Sequence, residues 1–305
     1  NLIINGGFDV WQRGTSFTAG SSYTADRWFT DAVGSHTRVT DAPSGFAYSI
    51  KLNPSTASNA ALRQAVELPS TGIGGVFESG QQFTLSFWLK SSVGSESINL
   101  FIASSNAVNG TTTTMVSASS FATTTTGWVK YTYTYTQPSA VGASDTCYNI
   151  VPYVSVPTGD IYITGVQLEL GSVATDFEHR SYGEELALCQ RYYTMVPYYI
   201  ESSVINSVFG YTKTNNIYTW TVTQFPVTMR TAPTMGFISG ALGGGSTTAD
   251  GKVRYVDSPG ASGGVDLVPY GSNINKDSFC VKTYNEHNAT VWYGIQAGYT
   301  ADAEL

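Results

Sequence analysis

Trp88, Trp128, Trp220 and Trp292 are the residues of this chain best suited to do chemistry, because an indole face stacks on the apolar C–H surface of a sugar ring. The hydroxyls of such a ring need amides, carboxylates or cations alongside. Aromatic material is abundant, with 20 Tyr and 6 Trp. Each tryptophan also has a packing reading, as a core residue of a β sandwich. Strand parity alone does not say which face is wet.

Catalytic signatures are missing where they would be recognisable. His36, His179 and His287 belong to no HExxH or Cys/His cluster. No GxSxG elbow, P-loop or GxGxxG leads from a strand into a helix. Glycoside hydrolysis needs only two carboxylates at close range and leaves no local spacing, so the 22 Asp and Glu keep it open as a rival to binding. Cys147, Cys189 and Cys280 are odd in number and far apart, which suits buried thiols rather than a disulfide framework or a zinc site. No catalytic residue, metal ligand or cofactor is assigned. Asp26 and Arg27, just before Trp28, read as a loop ion pair with the guanidinium over the indole.

Bulk properties narrow the partners. The formal net charge is −7 and no run of Lys or Arg could follow a phosphate backbone, which argues against nucleic acid. No stretch reaches the roughly 20 apolar residues of a membrane span, so no membrane insertion is expected. Charged residues make up 12% of the chain, against a usual ~25%. That deficit, with 31 Gly and many Thr and Ser, suits strands and turns better than helices. Asn1 in place of an initiating Met points to the downstream piece of a longer parent.

The elements that must position these side chains can be read from period. In residues 83–90, Phe83, Leu85, Phe87 and Leu89 share one face, and Thr84, Ser86, Trp88 and Lys90 the other, making Trp88 either a packing plug or a platform. In residues 128–136, Val129, Tyr131, Tyr133 and Tyr135 oppose Trp128, Lys130, Thr132 and Thr134. Residues 161–170 change parity at Thr164 and Gly165, which a β-bulge at Gly165 would repair. Further strands are expected at 27–30, 47–52, 61–68, 98–102 and 148–154, with an edge strand and loop in the Thr-rich stretch 111–126. The helical signal covers 182–193: Ser181 and Glu184 form a capping box, and Leu186, Cys189, Tyr192 and Tyr193 recur at helical spacing. Strand patterns return at 204–211, 217–222, 253–255, 279–284 and 291–299, with loops at 225–234 and 240–251. The expected fold is all-β: an antiparallel jelly-roll β-sandwich over 1–180, a short connector helix over 181–193, and a second, smaller β domain over 194–305.

Two resemblances extend this reading. The opening residues 1–9, the strand 83–90, the phrase 127–130 and the closing strand 161–168 look like the carbohydrate-binding jelly rolls that begin with an Asn-Gly-x-Phe-Glu pattern. That likeness implies a structural calcium held by the opening acidic residue, here Asp9, and an Asp pair in the last strand, where this chain has Thr164 and Gly165. A fuller resemblance, to tail-fibre and other virion-fibre proteins of bacteriophages, rests on phrases in the same order along the whole chain. They are residues 8–14, 24–28, 165–171, 174–178, 189–193, 225–234 and 301–305.

The second likeness implies a distal fibre module in the virion, assembled as a homotrimer with other virion fibre or tail proteins and presented to a bacterial surface, where exposed aromatics are expected to meet cell-surface glycan. With the missing catalytic signatures, the expectation is host attachment rather than an enzyme. A purely structural fibre or capsid-decoration role and a glycan depolymerase are the alternatives. The helix and residues 225–234 are expected to hold domains or subunits together.

Overall fold

Residues 83–90 form the middle of a ten-residue strand, Gln82–Ser91, in which Phe83, Leu85, Phe87 and Leu89 are fully buried. Apolar groups at every second position leave water only if that face meets a second layer, so the pattern dictates a sandwich. The computed structural model describes residues 1–18, 20–30, 34–54, 59–68, 77–108, 110–196, 217–238, 252–256, 262–266, 268–285 and 298–305. They fall into two compact units, Asn1–Cys189 with Leu305, and Gln190–Glu304.

The strands of the first unit are β1 (Ser16–Phe17), β2 (Ser22–Tyr23), β3 (Phe29–Thr30), β4 (His36–Val39), β5 (Ser49–Leu52), β6 (Ala60–Glu67), β7 (Gln82–Ser91), β8 (Ser97–Ser105), β9 (Thr113–Thr123), β10 (Val129–Thr136), β11 (Cys147–Val154) and β12 (Ile161–Leu170). They form two six-stranded sheets, ordered β1-β4-β5-β12-β7-β10 and β2-β3-β6-β11-β8-β9, with antiparallel pairing. One core lies between them, drawing Ile50, Leu85, Phe87 and Ile163 from the first sheet and Leu62, Leu100, Ile102 and Ile150 from the second. Tyr131 and Tyr135 of β10 join that core, while Val129 at the strand's start is exposed. Phe121 of β9 meets Tyr133 of β10 edge-on at 5.1 Å, a contact between the two sheets' edge strands.

The bulge in β12 is where the parity change placed it. Register with β7 slips between Thr164 and Gln167, and Gly165 takes φ +61°, so that Ile161, Ile163, Val166 and Leu168 are all buried. β9 is an edge strand, as the Thr-rich stretch suggested. Its pairing with β8 is interrupted twice, and Ser120, at φ +49°, donates its N–H to Asn99 Oδ1 at 2.8 Å. Such irregularities blunt an edge against further pairing.

The opening residues, the phrase at 8–14 and the phrase at 24–28 interlock as a buried corner. The Asn5 amide donates to the carbonyls of Val10 (2.8 Å) and Asp26 (3.0 Å) and accepts from Val10 N–H (3.0 Å). Phe8 stacks on Trp28 at 5.1 Å, and the Trp28 indole N–H donates to Asn5 O at 2.8 Å. Arg27 takes φ +71°, which turns the chain and starts β3 at Phe29 rather than at 27. Where a loop ion pair with the guanidinium over the indole was expected, Asp26 and Arg27 are both buried and take other partners as well: Asp26 accepts from Gln12 N–H at 3.0 Å and faces Arg13 at 3.9 Å, while the Arg27 guanidinium donates to Ala65 O.

The helix α1 (Tyr182–Gln190) carries the expected capping box, with Ser181 N–H donating to Glu184 Oε2 at 2.9 Å and Glu184 N–H to Ser181 Oγ at 3.4 Å. It stops three residues before the expected end, because Tyr193 pairs with Asp302 in a sheet and Tyr192 O accepts from Ala303 N–H. Of the set at helical spacing, Cys189 is buried within the helix, Tyr192 and Tyr193 are buried beyond its end and Leu186 is half-buried, while Glu185, which the spacing did not mark, also turns inward. Glu185 accepts from Asn5 N–H and pairs with Arg180 at 3.4 Å, which ties the helix to the corner.

In the second unit, β13 (Tyr193–Val196), β20 (Gly298–Asp302) and β15 (Thr234–Ile238) make one sheet. β14 (Ile217–Gln224), β19 (Ser278–Asn285) and β18 (Val268–Ile274) make another, and β16 (Lys252–Val256) pairs with β17 (Ser262–Asp266). Phe225, Met229, Phe279, Tyr299, Ala301 and Ala303 form its core. Arg230 donates from Nε to Ala303 O (2.9 Å) and from Nη2 to Glu304 O (3.1 Å), so the phrases at 225–234 and 301–305 fasten to each other. The strand expected at 204–211, most of that at 291–299 and the loop at 240–251 lie outside the described residues.

Candidate functional site

The outward side of the first sheet decides what Trp88 and Trp128 can do. Register pairs Lys90 of β7 with Tyr162 of β12 and Tyr162 with Lys51 of β5. Val129 pairs with Leu89, which brings Trp128, the residue before β10, level with Lys90. One cross-strand row therefore reads Trp128, Lys90, Tyr162, Lys51, and all four are partly exposed. The two rings stand edge-to-face with centroids 6.4 Å apart. The Lys90 ammonium lies 5.5 Å from the Trp128 ring and 4.6 Å from Tyr162, and Lys51 lies 5.9 Å from Tyr162 on its other side.

Polar groups close around the row from loops. Asp41 follows β4, pairs with the Lys90 ammonium and accepts from the Trp128 indole N–H at 3.1 Å. Asp160 precedes β12, pairs with Lys51 at 2.7 Å and accepts from the Asn53 amide at 2.6 Å. The hydrogen bond from Lys90 holds the Asp41 carboxyl below its ordinary range, and the hydrogen bond to Asp160 raises the Lys51 ammonium above its own. Donors and acceptors thus alternate beside two aromatic faces, the combination a sugar ring requires.

The neighbouring row, Lys130, Trp88 and Thr164, is covered. Lys130 Nζ donates to Thr175 O at 2.7 Å, and Gln167 Nε2 to Thr175 Oγ1 and Asp176 O, so residues 174–178 run across this part of the sheet. Phe46, Phe177 and His179 pack together above it, with centroids 4.8–5.2 Å apart. A Cβ at Gly165 would lie 2.6 Å from Phe46 Cζ and 2.9 Å from Trp88 Cδ1. Trp88 is half-buried in this packing. Of the four tryptophans singled out, Trp128 stands on the open row and Trp88 under the cover. Trp220 lies in β14 opposite Lys282, but its side chain, like all of Trp292, lies outside what the structure describes.

Tyr162 was legible by parity, sitting outward between Ile161 and Ile163. Asp41, Asp160 and Asn53 come from loops, and no local pattern marks them.

Where the jelly-roll likeness implies calcium, Thr164 and Gly165 of β12 supply no carboxylate in place of the implied Asp pair, so Asp9 is the one anionic side chain of that set and the residues do not fit the ion. Thr164 Oγ1 lies 2.8 Å from Tyr48 O and 3.4 Å from Gly7 O, placing a hydroxyl where carbonyls converge. Among the described residues, no group of three His, Cys, Asp or Glu could hold a metal. No described helix is long and apolar enough to cross a membrane.

No protein-family model and no curated protein matches the chain. Among solved structures, the enzymatically active domain of tailspike protein 4 of bacteriophage CBA120 is similar at a TM-score of 0.37 and 20% identity, over 56% of this chain and 21% of that one. The matched part of this chain therefore spans about a fifth of the length of that solved chain. A family 16 carbohydrate-binding module is similar at a TM-score of 0.35 and 20% identity, over 55% of this chain and 99% of its own. An apo cyclase from Fischerella sp. gives 0.39 and 12%, over 56% and 95%.

Proposed function

We propose that the first unit binds glycan along the row Trp128, Lys90, Tyr162 and Lys51, and that the protein is a phage fibre module, a homotrimer on the virion, attaching it to bacterial surface glycan. The observation that carries the binding reading is the pair of partly exposed aromatic side chains held among alternating ammonium, carboxylate and amide groups. The fibre setting is supported by the ordered phrases along the chain. Within the row, Asp41 is held down by Lys90, which suits it to accept hydrogen bonds from a bound sugar rather than to act as the general acid of a cleavage.

The test is binding of the purified, labelled protein to a panel of intact bacteria before and after periodate oxidation of their glycans, with mass measured by light scattering. Expected is saturable binding by a trimer that periodate abolishes and that Trp128→Ala weakens about tenfold or more, with thermal stability kept. Absence of binding by an assembled trimer would assign a structural fibre role. Shortening of the surface polysaccharide would assign a depolymerase.

A further inference from the structure

We infer that the ligand of this row is an uncharged oligosaccharide lying across the strands, an inference that rests on the glycan-binding reading above. Its first support is charge. Lys90 is matched by Asp41 and Lys51 by Asp160, so the row and its two loop carboxylates carry two positive and two negative charges. An acidic sugar would have to displace a carboxylate already holding each ammonium and would then face that carboxylate at close range. The chain's net charge of −7 adds a diffuse repulsion of polyanions. Neutral hydroxyls, which both donate and accept, match the alternating groups without breaking either pair.

The second support is length. Trp128 and Lys51 are separated by three strand spacings, about 14 Å, with Tyr162 between them, so the site is longer than one sugar ring. The neighbouring row offers no widening, because residues 174–178 lie across it. A chain of sugars running along the open row would meet Trp128, Lys90, Tyr162 and Lys51 in turn.

The experiment is an array of neutral hexose oligosaccharides beside the same backbones carrying uronic or sialic acid, probed with the intact protein. The best neutral trisaccharide is then titrated by calorimetry. Expected are neutral hits, a trisaccharide about tenfold tighter than its monosaccharide, and less than about twofold change between ~0.05 and ~0.5 M NaCl. Asp41→Asn keeps an acceptor for the Trp128 indole but leaves Lys90 unmatched, so binding of the acidic probes should rise severalfold. Acidic hits that depend on Trp128, or a steep loss of affinity with salt, would overturn the uncharged ligand while leaving glycan binding intact. An unchanged response of Asp41→Asn to acidic probes would overturn the charge argument. No hit at all would sink both readings.

Discussion

His36 is fully buried, and neither ring nitrogen has a hydrogen-bond partner. Its register neighbours, Phe17 and Leu52, are apolar. Burial therefore lowers its pKa, because an imidazolium there would lose its water. The unfolded chain takes up the proton first, near its ordinary pKa of about 6.5. The folded state is thus at full advantage above that value and loses it as pH falls towards the lower, folded pKa. In urea unfolding, the wild type should lose more stability than His36→Leu between about pH 7.5 and about pH 5.5. Equal losses would show that another group sets the acid limit. The two candidate tryptophans of the first sheet, Trp88 and Trp128, should differ from each other in stability and binding. Trp88→Ala, beneath Phe46 and against the bulge, should cost about 2 kcal/mol or more of stability. Trp128→Ala should cost under about 1 kcal/mol while weakening the proposed glycan binding about tenfold or more. If the roles exchange, the covered row is the site.

Gly165 is required twice over, by its left-handed φ and by the rings of Phe46 and Trp88 that close on its missing side chain. Gly165→Ala should destabilise the first unit by at least about 1–2 kcal/mol, read by chemical unfolding. At the helix start, Ser181→Ala removes one partner of the capping box and should cost about 1 kcal/mol. Both features were legible in the sequence, since each is local: a parity change marks the bulge and a four-residue spacing marks the cap. Less legible were features set by distant segments. The helix ends early because Tyr193 finds Asp302 across more than a hundred residues, and sheet pairing there outweighs helical spacing. The inward Glu185 looks like a surface residue until Arg180 and the Asn5 N–H meet it. For the site, one aromatic row could be read from period two. The loop carboxylates that set its charge could not, because Asp41 and Asp160 reach it only through the fold.

At the scale of the molecule, two hydrophobic cores share no residue, one between the six-stranded sheets and one around Phe225, Phe279 and Tyr299. Calorimetry should resolve two transitions, and Phe279→Ala should shift one of them by about 3–5 kcal/mol while leaving the other in place. A single transition shifted whole would show that the units melt together. The first unit also has an unusual closure. Leu2 N–H donates to Leu168 O at 2.8 Å, Val166 N–H donates to Gly6 O at 3.0 Å, and a Cβ at Gly6 would strike Val166 O. The opening residues thus dock on the last strand of the sandwich, beside its bulge. During synthesis the ribosome delivers those two segments on the order of ten seconds apart. Until β12 emerges, the aromatic corner of Phe8 and Trp28 lacks part of its clasp, and nascent chains crowded on one message would have that interval in which to pair with the wrong neighbour.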